Sequence, residues 1–432
     1  MKNERSQEAN FLNDDILADS DSKGRSRDWR GKKIASQKLS KVYEKIAEEV
    51  GSKYAERGVH KRYKKITHKV KDKAGRTVDI RITRKSMGLY DKDGKRVINY
   101  EKRAGDMKFC SSYLQFAVKG DGLKKLIDAN FCRVSLCPMC QWRRSMRTFF
   151  EVSKIMKIVK MRNPHYVSVF LTLTVKNCSL ESLSKTLDNM FGGWNEFMRS
   201  GTLKPMTNGK VTNIVKGWFR ALEVTYDGDE YINQRRYNSA KKYYDERGIK
   251  VGDENPNYNT FHPHFHAIML VERQYFTGKD YMQTKDWVQL WRKSARLDYD
   301  PVCDIRRTRT SKEKRKDVAE VAKYTYKDAE ILSKRLSDEK QEAVVKSLSS
   351  ALHGRRLYAY GGEMKAIAAE LKKLNSVDEE ADLIKVNDDN NNLEMSTSLV
   401  TMIMTYRWNI GVSNYVLDRK TKINKNREAE DC

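Results

Sequence analysis

The chain has 432 residues, too long for one small module and in the range of two to three domains. Lysine and arginine number 85 against 58 aspartate and glutamate, a formal net charge of +27, so polyanions, and nucleic acid first, are the expected partners. The longest apolar stretch, residues 166–175, falls far short of the roughly 20 residues that cross a bilayer, and MKNERSQEAN has no apolar signal region, so neither a membrane span nor secretion is expected.

The first 50 residues read as a charged, partly flexible segment ending in an amphipathic helix over residues 39–50 (LSKVYEKIAEEV). Residues 51–160 are strongly basic, with an Asp93-Gly94 turn predicting a hairpin, a cysteine cluster, and a helix over residues 141–160. The texture then changes. YVSVFLTLTV (166–175) predicts a buried central strand, a helix follows over 179–199, and residues 218–226 and 260–271 predict two more strands. The polar stretch 227–260 between them predicts an extended hairpin or insertion. Helices are expected over 282–296 and 317–336, NDDNNN (387–392) reads as a linker, and residues 351–432 as a helical region with a basic tail. The fold class is α+β, with a core over 161–350.

Three clusters carry chemistry. In His262-Pro263-His264-Phe265-His266 the histidines recur at period two, so a strand turns all three to one face, where neutral imidazoles can share a metal ion. Pro263 lacks an N–H and interrupts a ladder, which ranks His262 behind His264 and His266 as a ligand. The second cluster is Glu320, Tyr324 and Lys327, which share one face of the expected helix at i, i+4 and i+7, while Tyr326 points elsewhere. A carboxylate, a phenol and an ammonium so aligned can attack a phosphodiester, provided a cation lowers the phenol's pKa. An ordinary surface helix with a Glu–Lys pair is the plain alternative.

The third cluster is Cys132, Cys137 and Cys140 with Cys110 upstream. The Cys137-x2-Cys140 spacing fits a zinc knuckle, and four thiolates complete a tetrahedron for structural Zn2+. Trp142, Arg143, Arg144 and Arg147 follow directly and read as a DNA-contacting surface or, alternatively, a solvated helix face. No Gly-Lys pair is followed by Ser or Thr, so the chain has no phosphate-binding loop of the Walker A type for ATP-driven unwinding.

Taken in order, Phe170-Leu-Thr-Leu-Thr174, Leu222-Glu-Val-Thr225, His262-Pro-His-Phe-His266 and Glu320-x3-Tyr324-x2-Lys327 resemble the motifs of rolling-circle plasmid replication initiators, the single-tyrosine branch of the HUH endonucleases. Asp28-Trp-Arg-x-Lys-Lys33 and the stretch Asn130–Arg144 add to the resemblance. It implies a central antiparallel sheet with flanking helices, the histidine strand lying beside the Phe170–Thr174 strand. It also implies that His264 and His266 hold Mg2+ or Mn2+, with His262 or Glu223 as third ligand, that Tyr324 attacks the scissile phosphate, that Glu320 activates water for a terminating cleavage, and that Lys327 steadies the phosphate or phenolate.

The implied activity is nicking and closing of one strand at a double-strand origin in a bacterial cytoplasm, with single- and double-stranded origin DNA, a host helicase and a polymerase as partners. A homodimer at paired sites is compatible with it. Competing readings are a relaxase or transposase of the same chemistry, or a non-catalytic zinc-dependent DNA-binding regulator.

Overall fold

A computed structural model describes residues 15–18, 27–71, 77–120, 124–207, 210–323, 325–374 and 400–423. In chain order these form α1 (Trp29–Glu56), β1 (His60–Lys71), β2 (Thr77–Tyr90), β3 (Arg96–Val97), α2 (Tyr100–Phe109), β4 (Tyr113–Lys119), β5 (Lys124–Ala129), α3 (Pro138–Arg162), β6 (Tyr166–Thr174), α4 (Leu183–Arg199), β7 (Met206–Thr207) and β8 (Lys210–Val211). The chain continues through β9 (Gly217–Asp227), α5 (Gln234–Ser239), α6 (Lys241–Asp245), β10 (Thr260–Glu272), α7 (Thr284–Ser294), β11 (Cys303–Arg307), α8 (Ser311–Val321), α9 (Asp328–Ile331), α10 (Asp338–Leu352), β12 (Tyr358–Gly361), α11 (Gly362–Leu374), β13 (Val400–Asn409) and β14 (Asn414–Lys422). The α+β class is as expected.

The central sheet is antiparallel, in the order β11-β6-β10-β9-β12. Its inner strands β6, β9 and β10 are buried on both faces, which is why they read as near-continuous apolar runs. The expected neighbours are neighbours: His264 lies opposite Thr174 and His266 opposite Thr172.

One face of the sheet carries Phe265 and Leu222 against α4, α7 and α10. In α4 the stripe Leu183, Leu187, Met190, Trp194 and Phe197 recurs at three- and four-residue steps, so a single helix face is apolar and turned inward. Gly193 lets α4 approach α7 closely, since a Cβ there would sit 2.7 Å from the Ala295 Cα. Phe265 is fully buried among Phe191, Trp194 and Trp291, with the Arg220 guanidinium 4.4 Å from its ring centre. Phe265→Ala is expected to destabilise the protein by about 3–5 kcal/mol, measurable by denaturant unfolding.

The opposite face carries Phe170, Phe219, Ile268 and Leu270 beneath Val152, Ile155 and Val159 of α3, Val318 and Val321 of α8, and Ile367 and Leu371 of α11. Where this apolar packing gives out toward one end of β10, the histidines take its place.

A second antiparallel sheet, β14-β13-β4-β5, joins the C-terminal strands to the region around the cysteines. Among its described residues the expected helical C-terminal region is helical through α11, but residues 400–422 are a hairpin, because alternate residues Met404 and Tyr406 bury against β4. The first turn of α1 is capped by Asp28, whose Oδ1 accepts from the Gly31 N–H at 2.9 Å, so the helix starts ten residues before the expected one. The Asp93-Gly94 turn joins β2 to the short β3, with Gly94 at φ +76°. The longer hairpin of this region pairs β1 with β2. The stretch between β9 and β10 is an insertion carrying the short helices α5 and α6 rather than an extended hairpin, and residues 387–392 lie outside the described residues.

Candidate active site

His264 and His266 project from β10, and Glu223 projects from the neighbouring β9, directly opposite His264. All three are buried. Thr172 on β6 lies 3.1 Å from the His266 Nδ1, and the His262 carbonyl lies 3.2 Å from the His264 Nδ1. With both Nδ1 atoms engaged, the Nε2 atoms converge on Glu223 Oε2, at 3.2 Å for His266 and 3.5 Å for His264. Burial alone would raise the Glu223 carboxyl, but its hydrogen bonds with the two imidazoles outweigh this and hold it well below the usual carboxylate range.

The ligand atoms of Glu223, His264 and His266 lie within 4.8 Å of one another. Two imidazole nitrogens and a carboxylate oxygen, each imidazole oriented through its other nitrogen, are a donor set that fits a divalent cation. Of the two third-ligand candidates, Glu223 belongs to the group and His262 does not. The His262 ring packs 5.2 Å from that of His264, and burial together with that neighbour pushes its pKa down to about 4. The proline does not break the strand. The Val224 N–H turns away from β10 to the Thr325 carbonyl (2.6 Å), so Val224 and Pro263 exchange no hydrogen bonds, and β6 ends one residue short of Pro263.

Glu320 reaches the same cluster from α8, its Oε1 lying 3.7 Å from His266 Nε2 and paired with Lys323. Its position is fixed from the other end of the helix. Buried Asp317 accepts from Arg306 Nη2 (2.8 Å) and Thr308 Oγ1 (2.5 Å), and Thr310 and Glu313 form a capping box at the first turn.

The expected continuous helix over 317–336 is broken. α8 ends at Val321, and Lys327 caps a separate short helix, α9. Glu320 and Lys327 therefore do not share a helix face. They still converge, because Lys327 Nζ comes within 3.9 Å of Glu223 Oε1 and 3.1 Å of Glu330 Oε1. Tyr324 lies outside the described residues; Lys323 and Thr325 on either side of it line one crevice with Arg144, Ser145 and Thr148 of α3. Tyr326 is buried, donates its hydroxyl to the Leu136 carbonyl, and is pushed well above the usual phenol range, chiefly by burial.

The four cysteines also come together. Cys110 caps α2, Cys132 lies in the loop after β5, and Cys137 and Cys140 bracket the start of α3. The sulfur separations are 3.6 Å for Cys110–Cys140, Cys132–Cys140 and Cys110–Cys137. A zinc–sulfur bond of about 2.3 Å implies tetrahedral edges of about 3.8 Å, so the cluster fits structural zinc. The Arg133 N–H points at the Cys140 sulfur (3.2 Å), and the Ser36 hydroxyl lies 3.3 Å from that of Cys137. Burial raises the Cys137 thiol, but hydrogen bonds from the other thiols and Ser36 prevail and hold it well below the usual thiol range. Buried Lys33 donates to the carbonyls of Cys110 (2.6 Å) and Lys108 (3.0 Å), which ties α1 to the cysteine cluster.

Two residues expected on a DNA-contacting surface are core residues instead. Trp142 packs edge-on to Trp29 (4.8 Å), and fully buried Arg143 lies 5.2 Å from the Trp29 ring centre, because the first turns of α3 are enclosed by α1 and the cysteine loop. Arg144 and Arg147 are partly exposed. Sequence reasoning did not find Thr172, although its place on the inward side of β6 follows once the strand pairing is known. Nor did it give a structural role to Asp28–Lys33, whose members cap α1, pack on Arg143, and hold the cysteine loop.

A family profile described as Replication protein matches residues 123–416, which include the cysteines at 132, 137 and 140 and every other residue of both clusters except Cys110. This chain belongs to the replication protein family. The Protein rep of Bacillus amyloliquefaciens is 29% identical over 422 residues, covering 93% of this chain and 97% of the relative. The Protein rep of a Bacillus species is 32% identical over 339 residues, covering 74% of this chain and 94% of the relative. That of Streptococcus pneumoniae is 27% identical over 410 residues, covering 94% and 97%. No solved structure matches the chain significantly. The resemblance to plasmid replication initiators thus holds at the level of the family. Among the described residues no helix is long and apolar enough to cross a membrane.

Proposed function

We propose that this replication initiator is a metal-dependent nicking and closing enzyme of the HUH type, acting on one strand of a plasmid's double-strand origin in a bacterial cytoplasm. The observation that carries this reading is the convergence of Glu223, His264 and His266 with Glu320 and Lys327, beside the segment in which Tyr324 lies. Held by Glu223, His264 and His266, Mg2+ or Mn2+ would supply Lewis-acid polarisation of the scissile phosphate.

The chain's own groups do the rest. The Tyr324 phenolate oxygen bonds to phosphorus as the bond to the 3′ oxygen breaks, and that oxygen takes up a proton. A 5′-phosphotyrosine link and a 3′-OH primer result. The phosphotyrosyl ester retains the cleaved bond's free energy, so the reverse attack by a 3′-OH rejoins the strand without a nucleotide cofactor. Lys327 balances negative charge on the phenolate or phosphate. Glu320, partly exposed and at the edge of the buried cluster, accepts a proton from the water that ends the cycle. The enzyme's partners on this reading are single- and double-stranded origin DNA, with a host helicase and polymerase extending the primer.

Residues 51–150 carry 26 lysines and arginines against 9 acidic residues, and this region is assigned the grip on phosphates. Affinity for origin duplex is expected to fall by about 10³-fold between 50 and 200 mM salt, as six or so phosphate contacts would require, and a flat salt response in a fluorescence-anisotropy titration would contradict the assignment.

The test of the function is strand cleavage. Single-stranded oligonucleotides tiled across the replicon's origin are incubated with protein and Mn2+, with and without chelator. Metal-dependent cleavage at one site supports the reading. Tight binding that leaves every oligonucleotide intact makes the protein a DNA-binding regulator instead.

A further inference from the structure

Three contacts that the proposed reaction does not use hold the chain on either side of residue 324, two from the cysteine region and one from the start of α1, which packs against it. The Ser145 hydroxyl of α3 donates to the Ala322 carbonyl (2.5 Å). The buried Tyr326 hydroxyl donates to the carbonyl of Leu136, the residue before Cys137. Lys32 Nζ lies 3.0 Å from both carboxylate oxygens of Asp328, and Lys32 adjoins Lys33, which holds the Cys110 carbonyl. From the other side β9 takes up the same segment: the Val224 N–H donates to the Thr325 carbonyl (2.6 Å) and the Tyr226 N–H to Glu330 Oε2 (3.0 Å). Ala322 on one side of residue 324, and Thr325, Tyr326, Asp328 and Glu330 on the other, are thus held between the cysteine module and the strand that carries Glu223.

We propose that Tyr326 and the Lys32–Asp328 pair are positioning residues, through which the four-cysteine module aligns the residues flanking the Tyr324 nucleophile with the Glu223/His264/His266 cluster. The proposal rests on the reading of Tyr324 as the nucleophile. Six residues separate the end of α8 from the start of α9; the Ala322 and Lys323 N–H groups still bond back to Val318 and Glu320, whereas Thr325, Tyr326 and Lys327 lie outside both helices, so their placement depends on these outside contacts. Misplacing a reacting group by about 1 Å can cost 10²-fold in rate, whereas the DNA grip elsewhere on the chain is untouched by such a shift.

The test measures single-turnover cleavage of a saturating origin oligonucleotide with Mn2+, the oligonucleotide Kd, and thermal stability for full-length Tyr326→Phe, Lys32→Ala, Lys32→Arg, Asp328→Ala and the Lys32→Ala/Asp328→Ala pair. Tyr326→Phe and Lys32→Ala are each expected to slow cleavage by about tenfold or more at unchanged Kd. Lys32→Arg should recover most of the rate, and the Lys32/Asp328 double variant should be no slower than either single one. A purely structural role predicts a lower Tm with a wild-type rate per folded molecule. That result, or wild-type rates throughout, overturns the proposal. If Lys32→Ala does not fold, the charge-exchanged Lys32→Asp/Asp328→Lys chain replaces it, and failure of the exchange to restore rate over Asp328→Lys alone overturns the role of the pair. Tyr324→Phe in the same series separates the two levels: a covalent product that survives it removes the underlying reading, and the positioning role with it.

Discussion

His264→Ala and His266→Ala are each expected to lower metal-supported strand cleavage by about a hundredfold or more, since a cation's Lewis acidity is worth several kcal/mol and each 1.36 kcal/mol is tenfold in rate. Glu223→Ala belongs with them, because its carboxylate is the point on which both Nε2 atoms converge. The series should be graded. Thr172→Val leaves all three ligand atoms in place and removes only the partner of His266 Nδ1, so its cost is expected at about 10- to 100-fold. His262→Ala should cost less than any of these, as His262 lies outside the converging group. Single-turnover cleavage across a Mn2+ titration checks this order. Equal rates for His264→Ala, His266→Ala and wild type would remove the metal role from this cluster.

The second large effect is expected at the cysteines. Purified protein should contain about one zinc per chain, and Cys140→Ser should lose it, since each thiolate is one corner of the tetrahedron. Structural zinc contributes on the order of 10 kcal/mol in small modules. Here the surrounding core of Met107, Leu136 and Met139 shares the task, so a loss of cooperative unfolding in the region of α1, α2 and α3 is expected rather than collapse of the central sheet. Metal analysis and hydrogen exchange on wild type and Cys140→Ser check this. A metal-free wild-type protein with full protection over residues 100–145 would contradict it.

Much of the site was legible because its strands are buried on both faces. The runs at 166–175, 218–226 and 260–271 became β6, β9 and β10 within a residue or two, and period two placed the histidines on one side. The break after Val321 was not legible. The pattern DVAEVAKYTYKDAEIL continues at helical spacing, and what ends the helix is tertiary: the Thr325 carbonyl is taken by β9 and the Tyr326 hydroxyl by Leu136. Trp142 and Arg143 misled for a related reason. An aromatic–arginine interleave resembles a nucleic-acid surface, but here the guanidinium stacks on Trp29, which lies more than a hundred residues upstream. The C-terminal strands were hidden too, since β13 pairs with β4, about 290 residues earlier, and no local pattern encodes that partner.

On the proposed mechanism Tyr324, and not the nearby Tyr326, joins the DNA. The most direct measurement is mass spectrometry of the denatured protein–DNA product after nuclease trimming and trypsin digestion. Cleavage after Lys323 and Lys327 releases Tyr324-Thr-Tyr-Lys327 as one peptide, so fragmentation must assign the phosphonucleotide to one ring or the other. The mass is expected on Tyr324 and should vanish in Tyr324→Phe. A modified Tyr326, or a covalent product undiminished by Tyr324→Phe, would contradict the assignment of Tyr324 as the nucleophile.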